Sequence, residues 1–185
     1  MLELRNRNEE AWPEELRPIG DGDIEMEAFA PWWERHRPRL VHLHPLIAEQ
    51  WIYRHFRGTR FRFLPLDDLV WRQEEWTTDA FLGAVHLEFG EPDEPWRDYE
   101  IFQRGGWNGT PLLTAQGWRN GSWDVPPVVL ETPDGVRSYD DPLPDVRYLV
   151  IEGSKRFRYL RALNDQGEPT GPHEVFVLSS PDAAG

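Results

Sequence analysis

The chain has 185 residues, with 33 acidic and 20 basic side chains, a net charge of −13 and no cysteine. These figures exclude disulfides, thiolate catalysis and Cys-ligated zinc, and they argue against broad nonspecific attraction to nucleic acid. An apolar fraction of 39% with 10 Trp fits a folded domain with a real core, and some of those rings are expected at the surface or in grooves. The first ten residues carry no apolar signal core and no apolar run is long enough to cross a membrane. The expectation is a soluble, cytoplasmic, bacterial-type protein.

In chain order, residues 1–24 read as an acidic, irregular leader broken by Pro13, Pro18, Gly20 and Gly22. A short helix is expected from Ile24 toward Arg37, grouping Phe29, Trp32 and Trp33 and limited by Pro31 and Pro38. Leu40 to His44 reads as a short strand or an entry turn. A stronger helix opens at Pro45, a residue suited to a first helical position, and runs to Arg57 before Gly58. Its broad buried face is Ile47, Trp51, Ile52 and Phe56. Thr59–Leu64 alternates polar and apolar residues, the period of a half-buried strand. Pro65-Leu-Asp-Asp-Leu69 begins a new unit, and Thr77-Thr-Asp79 caps a helix through Ala80, Leu82, Val85 and Phe89 that ends at Gly90.

From Glu91 to Trp123 the chain is rich in Gly, Pro, Asp and Trp. Tyr99–Phe102 is expected to be a strand and Pro111–Thr114 a short apolar element. Trp107-Asn-Gly109 and Trp118-Arg-Asn-Gly121 echo each other without making a repeat. Pro127–Glu131 reads as a strand, Thr132–Gly135 as a turn and Asp140–Pro144 as a loop. A strand from Arg147 to Glu152 then meets a Gly153-Ser154 turn and a helix through Leu163, and Pro172–Leu178 supplies a further strand. Strands alternating with helices imply an α+β or α/β architecture with a mixed sheet.

The chemistry concentrates at Gly153-Ser154-Lys155-Arg156. A helix start presents unpaired N–H groups and a positive dipole end, Gly lets the backbone approach an anion, and Ser, Lys and Arg add a cap and charge. The competing reading is a capped helix with solvated basic side chains. Lys155, Arg158 and Arg161 share one helical stripe that suits a nucleic-acid backbone. Pairing with Asp140, Asp141 or Asp145 is the preferred reading, because cations at a helix start oppose its dipole. Glu152 is the nearest carboxylate, able to orient Arg156, hold a metal or water, or act in catalysis; the alternative is a plain salt bridge. Asp67 and Asp68 read as a helix start rather than a paired acid site. His42 and His44 at strand spacing point one way, as metal ligands do, but only His55 offers itself as a third, and no metal is assigned. Walker, nucleophile-elbow and His-Glu-x-x-His signatures are absent. Trp107, Trp118 and Trp123 form either a recognition surface or, preferably, anchors for a loop-rich lobe.

The order Pro126-Pro-Val-Val-Leu130, then Tyr148-Leu-Val-Ile-Glu-Gly-Ser-Lys-Arg-Phe-Arg-Tyr-Leu-Arg-Ala-Leu163, then Glu174-Val-Phe-Val-Leu178 resembles the ParB/sulfiredoxin superfamily (ParB-like nuclease domains), with Pro65–Leu69 as the opening. The resemblance spans roughly Phe61 to Leu178. It implies an α+β fold: a mixed sheet with flanking helices in a ParB/sulfiredoxin-like domain over 61–185, with a helical N-terminal extension, 1–60, packed on it. It also implies a phosphate site at Gly153, Ser154, Lys155 and Arg156, to which the basic stripe adds Arg158, filled by a nucleotide such as ATP or CTP with a divalent cation, in plasmid, phage or defence biology. Family members include nucleotide-binding, ATPase and nuclease proteins. Ser154 stands where sulfiredoxins carry their catalytic Cys, which removes sulfinic-acid repair. Gly121 is one residue out of place, and no helix-turn-helix is expected after Leu178. The alternative expectation is a non-enzymatic immunity protein, antitoxin or inhibitor on the same fold, whose acidic surface binds a basic protein partner.

Overall fold

The computed structural model describes residues 1–4, 12–20, 26–88, 95–104, 121–138, 141–168 and 170–181. Its strands are β1 (Leu2–Glu3), β2 (Val70–Trp76), β3 (Val85–His86), β4 (Val128–Glu131), β5 (Val136–Ser138), β6 (Asp141–Leu143), β7 (Tyr148–Glu152) and β8 (His173–Ser179). The helices are α1 (Phe29–Leu40), α2 (Pro45–Ile47, continued by a π-helical stretch over Ala48–Tyr53), α3 (Thr78–Ala84), α4 (Pro95–Gln103) and α5 (Ser154–Asp165).

The main sheet has five strands in the order β2-β8-β4-β7-β3. It is mixed: β2 and β8 are antiparallel, β8 and β4 parallel, β4 and β7 antiparallel, and β7 and β3 parallel. The apolar runs of β4 and β8 follow from burial on both faces, which removes the pressure to alternate with polar residues. Val128, Leu130, Phe176 and Leu178 face one core with Trp32, Ile47 and Trp51 of α1 and α2. Val129, Val175 and Val177 face the other with Phe81 of α3 and Phe157 and Leu160 of α5. The architecture is α+β, with mixed sheets flanked by helices. Among the described residues, no helix is long and apolar enough to cross a membrane.

The N-terminal segment is more ordered than its composition implies. β1 pairs in parallel with β5 in a small three-stranded sheet, β1-β5-β6, and Leu2, Trp12 and Leu16 enter the same core as β4 and β8. α1 begins at Phe29 and passes through Pro38 to Leu40. Pro31 costs little there, since first-turn N–H groups have no helical partner to lose. Leu40 to His44 is a turn, and the ring of His44 accepts from the Leu46 N–H to cap α2. The expected face of α2 is present: Ile47, Trp51 and Ile52 are fully buried and Phe56 nearly so.

Four expected elements differ, the first being the loop expected over Asp140–Pro144, where Asp141–Leu143 forms β6 by antiparallel pairing with Val136–Ser138. Thr59–Leu64 is a turn rather than a strand: Thr59 Oγ1 accepts from Trp51 Nε1 and from the Phe61 N–H, which curls the chain. Phe61 and Phe63 are buried as the alternation implied, with Arg62 held over the Phe56 ring at 4.5 Å. Tyr99–Phe102 lies inside α4, not a strand, because Asp98 and Ile101 turn to one buried side three residues apart. α3 is capped by Thr77 as expected, its hydroxyl accepting from Ala80 N–H, yet it ends at Ala84. Val85 instead pairs with Tyr148 of β7, a position that suits a β-branched residue. Phe89, Gly90, Trp107, Pro111–Thr114 and Trp118 lie outside the described residues.

Candidate functional site

β7 ends at Glu152, and Gly153 turns the chain into α5 with φ +108°. A Cβ at Gly153 would meet Pro127 Cβ at 2.7 Å and Arg156 Nε at 3.0 Å, so glycine is required both by the backbone and by the space. The Arg156 side chain therefore folds back under its own turn and is only 6% exposed. Its Nη1 donates to the Val125 carbonyl (2.9 Å), and its Nη2 donates to Gln50 Oε1 (2.7 Å) and more weakly to Glu152 Oε1 (3.4 Å). Its Nε has no partner among the described residues. Burial pulls Arg156 down to about 10, opposed by Glu152 and reinforced by the neighbouring Arg54, and it stays a cation at neutral pH.

Gln50 was not anticipated, and it joins three elements. It sits in the π-helical stretch, donates Nε2 to the Pro126 carbonyl at 3.0 Å just before β4, and receives Arg156 from α5. The signal available was a single amide beside the apolar face of α2. The other oxygen of Glu152, Oε2, lies 3.4 Å from His55 Nε2. Glu152 thus bridges a buried guanidinium and a partly exposed imidazole.

Above this turn lies a cleft of about 240 Å³, walled by His55, Thr59 and Arg60 on one side and by Glu152 and Ser154 on the other. α5 opens onto it through Ser154. Its first turn contains no acidic residue, and Gly153 offers no side-chain cap. Lys155 is exposed beside it.

Of the residues assigned to a phosphate site, Glu152 and Ser154 line the cleft and Gly153 shapes its floor turn, whereas Arg156 is held beneath that turn. Arg158 points elsewhere. It makes a two-pronged pair with Asp98 of α4 (2.9 and 2.8 Å), and the Asp98 side chain is only 5% exposed. Pairing was the preferred reading for this cation, but the partner is Asp98 rather than Asp141 or Asp145; Asp140 lies outside the described residues. The resulting neutralisation interrupts the Lys155–Arg158–Arg161 stripe.

Comparison of the chain with protein-family models, curated proteins and solved structures returned no match.

The remaining candidates resolve into structural roles. His42 Nε2 bonds the Leu66 carbonyl at 2.8 Å, while His44 caps α2 and packs against Trp71 and Phe176, so the two rings do not converge on a common point. Asp67 and Asp68 lie in a 3₁₀ turn, Leu66–Asp68, with Asp67 accepting from Arg39. Trp123 is an anchor, donating to the Glu174 carbonyl and packing on Phe81 and His173. Among the described residues no group of three or more His, Asp or Glu side chains is placed to hold a metal ion. Both oxygens of Glu152 already have side-chain partners, Arg156 and His55, so this donor set does not fit the divalent ion that the resemblance implies. A second unanticipated network is buried at the opposite edge: His173 contacts Ser122 Oγ through Nδ1 (2.8 Å) and Thr78 Oγ1 through Nε2 (2.9 Å). Desolvation pushes this histidine down to about 4, so it is neutral.

Proposed function

We propose that the chain has a ParB/sulfiredoxin-like core and binds the phosphate end of a nucleotide in the cleft at the start of α5. The observation that carries this reading is the uncompensated helix start: twelve residues of helix open onto the cleft with no carboxylate in the first turn and no side-chain cap. Such an end presents free N–H groups and a positive dipole, which an anion satisfies. Arg60 and His55 face it across the cleft and exposed Lys155 stands at its rim.

Size and charge narrow the ligand class. At about 240 Å³ the cleft is smaller than the roughly 300–1,000 Å³ that encloses a whole small ligand, so it takes the phosphate and leaves the base outside. A nucleic-acid backbone is the weaker candidate, because Arg158 is already neutralised by Asp98 and the chain carries −13 overall. Glu152 orients Arg156 and His55 on this reading, and the proposal is of binding, not hydrolysis.

The test is thermal shift and calorimetry with inorganic phosphate, ATP and CTP, each with and without Mg²⁺. A ligand present at a hundred times its dissociation constant adds about 2.7 kcal/mol, or roughly 5–10 °C for a chain of this size. Ser154→Asp supplies the missing carboxylate, so it should raise the melting temperature of the free protein while abolishing the ligand-induced shift. Silence toward all three ligands would end the proposal. The pairing of Arg156 with Glu152 and of Arg158 with Asp98 within the chain favours a second reading, an acidic interaction protein on the same fold. That reading requires nucleotide silence together with binding to a basic protein that weakens steeply with salt.

A further inference from the structure

Glu152 is an unexpected wall for a cleft that receives an anion. Its side chain is 25% exposed and lines the cleft beside Ser154, so its negative charge stands where the ligand's own charge is to sit. Its backbone is fixed at the end of β7 by pairing with Val128 of β4, one residue before the Gly153 turn. Arg156 from beneath and His55 from the facing wall hold the carboxylate there.

Those two contacts leave acceptor capacity unused. Each is 3.4 Å long, whereas charge-assisted N–H···O bonds are about 2.7–2.9 Å. A carboxylate offers roughly four lone-pair sites, so each oxygen has room for one more donor. A divalent ion needs about six oxygen ligands, and Glu152 is the one carboxylate among the described residues that line the cleft. A single O–H group needs only one lone pair. The ligand must therefore bring acceptor oxygens for the N–H groups at the start of α5 and a donor for Glu152. Hydrogen phosphate brings both, through its P–O⁻ oxygens and its P–OH. Sulfate has the same size and shape but no proton at neutral pH, and a phosphodiester has none either. Each would set an oxygen lone pair against the carboxylate.

We propose that Glu152 is the specificity-determining residue of the cleft, accepting the P–OH of a phosphate group and thereby rejecting sulfate and phosphodiesters. Resting on the anion reading of the cleft, this role narrows the ligand to a terminal phosphate. Inorganic phosphate and the end group of a nucleotide can carry the required proton, whereas the linking phosphates of a nucleic-acid backbone cannot. Discrimination comes from repulsion as much as from attraction, since an acceptor facing an acceptor is worse than a missing contact. One charge-assisted hydrogen bond lost, with that repulsion added, corresponds to about tenfold or more in affinity.

Calorimetry at pH 7 and constant ionic strength, with inorganic phosphate, sulfate and dimethyl phosphate as ligands, tests this role. The wild-type chain should bind phosphate about tenfold or more tightly than either of the other two. Glu152→Gln supplies an amide that donates as well as accepts. Sulfate should therefore bind that variant roughly threefold or more tightly than it binds the wild type, and the preference for phosphate should fall below about threefold. A gain in sulfate affinity cannot come from damage to the fold, and the wild-type preference requires no variant at all. Equal affinity of the wild type for phosphate and sulfate overturns the proposal while leaving the phosphate site standing. So does a Glu152→Gln protein that weakens toward both anions alike, the mark of a carboxylate that only positions Arg156. Silence of the wild type toward all three anions removes the phosphate site itself, and the role of Glu152 with it.

Discussion

Replacing Gln50 with Leu tests whether the buried Arg156 network holds α2, β4 and α5 together. The substitution preserves bulk at a position only 7% exposed but removes two hydrogen bonds at once. Arg156 loses its shortest acceptor, at 2.7 Å, and a hydrogen bond to a charged group contributes about 1.5–3 kcal/mol. The Pro126 carbonyl, itself buried, loses its donor at 3.0 Å, and an unsatisfied buried group costs about 1–3 kcal/mol. Added apolar burial by Leu offsets roughly 1–2 kcal/mol, leaving a net loss of about 3 kcal/mol. In thermal terms that is about 6–12 °C for a protein of this length. Urea titration at pH 7 of the wild type, Gln50→Leu, Arg156→Met and the double variant measures it. The double variant should be less destabilised than the sum of the singles by about 1.5–3 kcal/mol, since the two side chains share one contact. A Gln50→Leu loss under about 0.5 kcal/mol, or strict additivity, would refute the network as the tie between these elements.

Further outcomes follow from the same structure. His173 has its pKa lowered by burial to about 4 against 6.5 when unfolded, so the unfolded chain binds the extra proton between those values. Stability contributed by neutral His173 is therefore fully present above pH 6.5 and is lost as pH falls toward 4, by roughly 3 kcal/mol in all; urea midpoints from pH 7 to pH 4 should show a fall that His173→Gln flattens. Gly153→Ala, with φ +108° and a 2.7 Å clash, should cost at least about 2 kcal/mol. Gly167→Ala, with φ +73° and open space around it, should cost only about 1 kcal/mol, and differential scanning calorimetry separates the two. Arg158→Met leaves the buried Asp98 carboxylate unpaired and should cost about 2–3 kcal/mol, with faster hydrogen exchange in α4 than in the main sheet.

Much of the fold was legible because its signals are local. The Thr77 cap, the Pro45 start and the buried face of α2 each lie within one or two turns of chain, as do the β4 and β7 runs. The failures also have local causes. Thr59–Leu64 has the alternation of a strand, but a strand needs a partner, and here the Thr59 hydroxyl curls the backbone instead. Tyr99–Phe102 carries aromatic and β-branched residues typical of strands, yet α4 packs on α5, with Asp98 paired to Arg158 and both Asp98 and Ile101 buried, which requires helical spacing. The candidate site was legible as a stretch, Glu152–Arg156, but not as a geometry.

The sequence alone determined where α5 begins, that Gly153 precedes it, and that the central strands are apolar enough to be covered on both faces. Only the tertiary structure decided what each charged side chain does. Arg156 finds Gln50 across 106 residues, Arg158 finds Asp98 across 60, and Glu152 meets His55 on a different element. Periodicity and capping report interactions within a single segment, whereas the choice of ion partner depends on which segments the sheet order brings together. For the same reason the sequence could show a basic helix start, while only the packed chain shows which of its cations are already neutralised and which end of the helix opens onto a cleft.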